Sequence, residues 1–470
     1  MTILPIFIIF VILIGGFITY AKISTKKAKA LEKDTWLMRF WAKDAVKVVA
    51  ASLISICIGL LFGCLILLIF SGYSGGGITI TFKSCWKAIQ LVFLGGFNTG
   101  TNANDQLIYG WNGVNIGNML FRATPLIMTG LSVAIAFKTG LFNIGAPGQY
   151  LMGSMVALVI ALGIPSSVVP PFVIWIIAFI GAILAGALWG AIPGIFKAFL
   201  NVNEVITCIM CNWIAANLVT AAFDKTTGIF KQFLDPDGTK NLAYVFKTTH
   251  NNVATFKMGL DKIFPGSQIN AGILVAIIIA IIMYIVINKT VFGYELKACG
   301  ANRHAAKYAG IKARRNIILS MAISGAMAGI GGMLYYLSGN TEFQWETYQT
   351  LPAIGFNGIP VALLAINNPI GVIFSSIFMA YLDVSGMQIK YMTSYNEHIA
   401  SIIGAVIVYF SAFSLVIRQY LSKPIKGEKI KKLFEKIGSL FKKKKKEELE
   451  LAEPIAPTET KNNSEEEESK

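Results

Sequence analysis

The chain is short of charge. Charged residues make up 14% of its 470 residues, against roughly a quarter in soluble domains, which excludes a water-soluble protein of this length. Histidine is nearly missing, with only His250, His304 and His398 present. No Ser-His-Asp or metal-ligand cluster stands out, so the residues offer no support for an enzyme. The six cysteines have no metal-ligand spacing. Cys57, Cys64, Cys208 and Cys211 fall inside apolar runs, Cys299 lies in a basic loop, and Cys85 alone falls in a segment read as external. No disulfide is therefore expected. Cys208 and Cys211 form a C-x-x-C that reads as two small packing residues on an apolar helix. A G-x-x-x-x-G-K-[ST] nucleotide loop is absent, so any ATP this protein uses is bound by another chain.

What is abundant is apolar sequence, with a mean hydropathy of +0.62. Crossing a bilayer takes about 17–25 apolar residues in a helix. Eleven candidate runs occur: 3–21, 48–70, 123–137, 146–163, 171–196, 204–223, 269–288, 316–337, 351–366, 370–388 and 397–417. The 123–137 run is short and is expected to continue into the irregular segment after it. The fold class expected is all-α, a polytopic membrane bundle of about 10–11 transmembrane helices. Residues 1–21 read as an extra N-terminal membrane anchor, since no basic stretch precedes them and no A-x-A-like site follows. Residues 22–47 read as a charged linker, 48–417 as the membrane domain, and 418–470 as a basic amphipathic and disordered tail.

Basic residues orient the chain. The linker 22–47 holds Lys22, Lys26, Lys27, Lys29, Lys33, Arg39, Lys43 and Lys47, and the loop 289–315 holds Lys289, Lys297, Arg303, Lys307, Lys312, Arg314 and Arg315. Both are expected in the cytoplasm, with the C-terminus. Loops 164–170 and 338–350 have no Lys or Arg and are expected outside, as is the long loop 224–268. The segment 71–122 reads as external too, with a helix lying on the membrane surface. The net charge of +16 thus reflects topology rather than nucleic-acid binding. In the tail, Leu433, Phe434, Ile437, Leu440 and Phe441 fall on one helical face among lysines, suiting either anionic membrane lipid or a solvated charged tail.

Glycines at four-residue spacing, Gly186, Gly190 and Gly194 in one run and Gly325 and Gly329 in another, let helix backbones approach closely in lipid. Two further segments interrupt apolar runs: GLFNIGAPGQY (140–150) and LPAIGFNGIPVALLAINNPIG (351–371). Each carries Phe-Asn beside a Gly/Ile pair. Such breaks at membrane depth are tolerated where protein or a wetted cavity satisfies the freed backbone, and breaks in both halves of a transporter point to the solute path. Phe142, Asn143, Gln149, Phe356 and Asn357 are therefore the candidate pathway residues, with the two asparagines expected to line a wetted cavity. Asn212 reads as a packing residue. Asn201 and Glu204 match a capping box at a helix start. Glu204 and Asp383, the latter near the outer end of its run, are the acids on which ion coupling would rest.

Between two runs lies ACGANRHAAKYAGIKARRN (298–316). It holds a short helix that Asn302 caps and Gly310 ends. Ala305, Ala306 and Ala309 leave one side flat for docking against a soluble partner, with Arg303 and Lys307 beside it to pair with acids.

Taken in order, PLIMTGLSVAIAFKTGLFNIGAPGQ, NEVITCIMCNWIA, GANRHAAKYAGI and GFNGIPVALLAINNPIG resemble the permease subunits of bacterial ABC importers for nucleosides and simple sugars. These belong to the wider ribose and branched-chain amino-acid permease group. The likeness runs from about 123 to 417, and GLFNIGAPGQ is most similar to the nucleoside-type branch. Gly300, Asn302, Ala305, Ala306 and Gly310 resemble that family's coupling helix. The family more often has Glu where Pro147 stands, and a small non-proline residue where Pro360 stands. The resemblance implies a bacterial plasma-membrane complex. Its other members would be an ATP-binding subunit carrying ATP and Mg, a second and different permease chain, and an extracellular substrate-binding lipoprotein. No cofactor is expected on this chain. The rival expectation is an ion-coupled secondary transporter of small polar solutes, which needs no ATPase.

Overall fold

The computed structural model describes residues 44–71, 78–234, 243–245, 253–393, 395, 398–411, 413, 416, 417 and 419. The chain divides into two compact units. One comprises Met1–Ile12 and Val48–Ile417, the other Leu13–Lys47 and Arg418–Lys470. The anchor 1–21, nearly all of the linker and the amphipathic tail lie outside the described residues. The helical bundle is formed by Val48–Ile417 of the first unit.

The elements, in order, are α1 (Asp44–Ser71), α2 (Ile78–Leu94), β1 (Asn98–Thr101), β2 (Leu107–Tyr109), α3 (Gly113–Lys138), α4 (Ala146–Gly163), α5 (Pro171–Leu200), α6 (Glu204–Ala222), β3 (Ala243–Val245), α7 (Leu260–Ile263), α8 (Gly272–Lys289), α9 (Val291–Ala301), α10 (Arg303–Tyr308), α11 (Ala313–Tyr336), β4 (Phe343–Trp345), α12 (Ala353–Leu364), α13 (Pro369–Met392) and α14 (His398–Ser411). β1 pairs with β2 and β3 with β4, both antiparallel. The fold is an all-α bundle. Among the described residues, seven helices (α3, α4, α5, α6, α8, α11 and α13) are long and apolar enough to cross a membrane.

α3 and α11 form the middle, buried over most of their length. α4, α5, α12 and α13 pack round them, while α5, α6 and α8 present exposed Ile, Leu and Phe outward. The spaced glycines explain the tightest crossing, α5 on α11. A methyl group added at Gly325 would overlap the Gly186 carbonyl oxygen, and one at Gly190 would stand 3.0 Å from Gly325 Cα. Lipid supplies no hydrophobic drive between helices, so this backbone approach and its dispersion contacts hold the crossing together.

Three expectations need correction. α3 ends at Lys138 and does not continue through the segment after it. It gains length at its start, from Gly113, where the Asn112 side chain accepts from Asn115 N. Polar residues there are satisfied within the protein, Asn115 Nδ2 donating to Gly95 O at 3.3 Å and accepting at Oδ1 from Gln388 Nε2 at 3.3 Å. The run 351–366 is not a full span. α12 has 12 residues, about 18 Å at 1.5 Å per residue, and Ile366 (φ 52°) and Asn367 (φ 54°) turn the chain in the left-handed region before α13. The helix of segment 71–122 is not a free surface helix. α2 packs Cys85, Ala88, Leu91 and Val92 into a cluster with Leu60 and Leu67 of α1, Leu382 and Ile389 of α13, and Ile399, Ile403 and Ile407 of α14.

Gly325→Ala is expected to destabilise the detergent-solubilised protein by about 1–3 kcal/mol through overpacking, read as a lower melting temperature. Gly163→Ala, whose nearest neighbour is Phe233 Cζ at 3.6 Å, should leave it unmoved. Equal shifts in the two variants would contradict glycine-dependent packing.

Candidate functional site

The site is built around the break between α3 and α4. α3 ends in a Schellman motif: Leu141 N donates to Ala136 O at 3.0 Å and Gly140 N to Phe137 O at 3.1 Å. Gly140 takes φ +68°, and the apolar contact of the motif is Leu141 with Ala136. The Thr139 hydroxyl pairs with Ser320 Oγ of α11 at 2.5 Å. The chain then re-enters a helix at Ala146 while fully buried. The first amides of that helix have no partner within it, and its first turn is buried in the protein, so they need partners there.

Side-chain amides take that role. Asn143 Oδ1 accepts from Gly145 N at 3.1 Å. Asn212, from the middle of α6, accepts from Gly148 N at 2.9 Å and donates to Ile144 O at 3.0 Å. Asn143 and Gln149 form a reciprocal amide pair, Nδ2 to Oε1 at 2.7 Å and Nε2 to Oδ1 at 3.0 Å. Ser132 Oγ of α3 and Ser324 Oγ of α11 lie 3.0 and 2.8 Å from Asn143 Nδ2, and Ser324 Oγ also donates to Ser132 O. The break is thereby tied to three helices at once.

Asn143 and Gln149 are thus brought together, but not against water. Asn143 is 0% exposed and its amide is saturated, so it does not line a wetted cavity in this conformation. Phe142 is half-buried, its ring 5.2 Å from that of Phe137. Phe356 and Asn357 are half-buried inside α12, so the second Phe-Asn pair is helical and not the counterpart of the first. The two segments do meet: a methyl group at Gly355 would stand 2.5 Å from Pro147 Cα. Asn212 is more than a packing residue. Its role was hidden because its partners lie 64 and 68 residues away. The capping box at 201–204 is also corrected. Asn203 caps α6, accepting from Val205 N at 2.9 Å. Asn201 ends α5 in the left-handed region at φ 54°, and Glu204 is paired with Lys197 at 2.8 Å.

The basic loop folds as an elbow, α9 followed by α10. Asn302 Oδ1 accepts from His304 N and Ala305 N, both at 3.0 Å. Gly310, at φ +82°, closes the elbow with a second Schellman motif: Gly310 N to Lys307 O at 3.1 Å and Ile311 N to Ala306 O at 3.0 Å. That motif sets Ala306 against Ile311. Ala306 is 3% exposed, packed with Cys299 and Ala313, so it belongs to the elbow's own core and not to a docking face. Ala305, Lys307, Tyr308 and Ala309 are exposed and Arg303 half-exposed. Tyr308, 95% exposed, is a candidate docking residue that the run of flat alanines did not signal. Burial pushes the Cys299 thiol up from its ordinary value, partly offset by the amide of Asn316. Gly300 lies directly on the break, where a methyl group would stand 2.6 Å from Lys138 O and 2.9 Å from Gly140 N. At Gly300 and Gly140 elbow and break meet backbone to backbone.

Residues 115–412 match the family described as branched-chain amino acid transport system / permease component. The chain is 34% identical to the guanosine ABC transporter permease protein NupP of Bacillus subtilis, over 79% of this chain and 95% of that protein. It is 35% identical to the nucleoside ABC transporter permease protein NupB of Lactococcus lactis, over 66% of this chain and 82% of the relative. It is 30% identical to the glucose ABC transporter permease protein TsgB13 of Haloferax volcanii, over 64% and 77% respectively. No solved structure matches.

The hydrogen bonds of the break predict two outcomes. Asn212→Leu should destabilise the protein by roughly 2–4 kcal/mol, leaving a buried N–H and a carbonyl unpaired. Asn217→Leu should not, since the exposed Asn217 bonds only to Trp213 O on its own helix. Thermal unfolding in detergent compares them. In a background lacking native cysteines, a cysteine at 143 should resist a small hydrophilic thiol reagent that labels one at 357, and equal labelling would contradict the burial described.

Proposed function

Because the chain belongs to the family of branched-chain amino acid transport system permease components, we propose that it forms the translocation path for nucleosides, with simple sugars next, in an ATP-driven importer. The match spans more than half of the chain, and the family is one of membrane-embedded, channel-forming subunits. The nucleoside reading draws on the two relatives named for nucleosides, each at least 34% identical. The glucose-named relative keeps sugars in view.

The single observation that carries the mechanism is the contact of Gly300 with Gly140. ATP and Mg sit on a separate ATP-binding subunit that grips the elbow through Ala305, Lys307, Tyr308 and Ala309, with Arg303 at the edge. Asn302 and Gly310 hold the elbow's shape, and Ala306 supports it from within. A shift of the elbow presses on the α3–α4 turn and, through it, on the hydrogen bonds of the Asn143–Gln149 pair. Coupling of this sort amounts to about 1–3 kcal/mol between two sites. Phe356 and Asn357, on the half-helix touching Pro147, line the path beside the break. A second, different permease chain completes the path, an extracellular lipoprotein delivers the solute, and the C-terminus lies in the cytoplasm of a bacterial cell. The domain limits 22–47 and 418–470, and lipid contact by the tail, belong to the same proposal. Ion coupling finds no support at Glu204, which is held by Lys197 at a helix end.

The test is uptake in proteoliposomes holding both permeases, the ATPase and the lipoprotein. Guanosine uptake should require ATP and persist when a protonophore is added with ATP held constant. Collapse under the protonophore would favour the secondary transporter. Ala305→Arg and Gly300→Val should each lower uptake about tenfold with membrane insertion unchanged, the first by blocking docking and the second by wedging elbow from break. Wild-type uptake in both would contradict the coupling route.

A further inference from the structure

The outer half of the α3–α13 contact holds two ionisable groups that the coupling route does not use. Arg122 stands nine residues from the start of α3 and Asp383 nine from the end of α13, each about 14 Å along its helix. Arg122 Nη2 reaches Met387 Sδ at 3.5 Å, and Met387 lies one turn from Asp383 on the same helix face. That contact brings the guanidinium to the face of α13 that also carries Asp383. Among the described residues, however, no hydrogen bond or ion pair closes on Asp383.

A guanidinium brings five donors, here met by one thioether. A partly buried carboxylate with no donor is expensive, and both groups are half-buried rather than sealed. They also lie on a polar stripe. Asn115, Arg122 and Thr129 follow at seven-residue intervals on α3, with Gln388 against the first and Gly358, the neighbour of Asn357, against the last. The stripe thus runs from one end of the bundle toward the break.

We propose that Arg122, Asp383 and Met387 form a contact site for a neutral, hydroxyl-bearing ring solute passing along α3 and α13. Asp383 accepts from ring hydroxyls and Arg122 donates to a carbonyl oxygen or ring nitrogen. The Met387 thioether lies against the ring face. The opposite charges sum to zero, which suits an uncharged solute better than an ion. The site rests on the importer reading above and names the part of the solute that the permease itself reads.

Uptake by the reconstituted complex tests it, with guanosine against 2′- and 3′-deoxyguanosine and glucose against its deoxy analogues. The lipoprotein is held constant, so that any change in preference comes from the permease. Asp383→Asn should lower kcat/KM for the hydroxylated solute about tenfold, mainly through KM, since a hydrogen bond to a charged group is lost. The deoxy analogue lacking the contacted hydroxyl should change little. The neutral pair Arg122→Gln/Asp383→Asn should insert and assemble yet stay unselective. If it restores selective import, the two residues are only a structural pair and the site is wrong. Unchanged hydroxyl preference in Asp383→Asn also overturns the site while leaving the importer reading intact. Import of neither guanosine nor glucose by the wild type overturns that reading and the site with it. Should Asp383→Asn fail to insert, Asp383→Glu keeps the charge but moves the carboxylate, and the same loss of discrimination is expected.

Discussion

A helix broken at membrane depth must find partners for its freed backbone inside the protein. The rest of this structure answers to that constraint. Between Lys138 and Ala146 the chain leaves one helix and begins another, exposed at Gly140 but buried at Asn143 and from Gly145 onward. Asn143, Gln149 and Asn212 supply the missing donors and acceptors. Because each reaches a different element, satisfying the backbone also fixes where α3, α4, α6 and α11 stand relative to one another. A break of this kind is stable without being frozen. Its hydrogen bonds run between side chains and turn residues, and these can exchange partners more readily than a helical ladder can.

Glycine makes the second half of the account possible. Gly300 and Gly140 bring two backbones into contact, so a displacement of the elbow reaches the break with no flexible side chain between to absorb it. At the α5–α11 crossing the same residue type does the opposite. Gly186, Gly190 and Gly325 lock two long helices together, giving the break a rigid wall to move against. In the proposed mechanism, rigid wall, satisfied break and small capped elbow form one mechanical sequence, with the ATP-binding subunit at its far end.

Much of this was legible in the residues. Apolar runs marked the long helices, four-residue glycine spacing marked the α5–α11 crossing, and Asn302 with Gly310 marked the elbow. Each signal is local, and the physics behind it acts within a turn or two of chain. What stayed hidden was long-range. Asn212 sits in an apolar helix with nothing nearby to declare that it serves a turn 64 residues earlier. Ala306 is as small as Ala305, and only the Schellman contact with Ile311 turns it inward. The start of α3 was too polar to read as a span, its partners lying in the turn after α2, on β1 and on α13. The two Phe-Asn pairs looked alike, yet one lies in a turn and the other in a half-helix, since residue identity alone does not say where a chain leaves the helix. The family resemblance placed the chain correctly, and it could not show which residues hold the break.

The central claim is that the buried amide network around the break holds at rest and yields when the elbow is driven. Backbone hydrogen exchange at Gly145 and Gly148, whose amides are held by Asn143 and Asn212, measures this directly in the assembled complex. Both amides should be strongly protected without nucleotide and exchange markedly faster during sustained ATP hydrolysis, while amides in the middle of α11 stay protected throughout. Protection at Gly145 and Gly148 that is the same at rest and during hydrolysis would contradict the account.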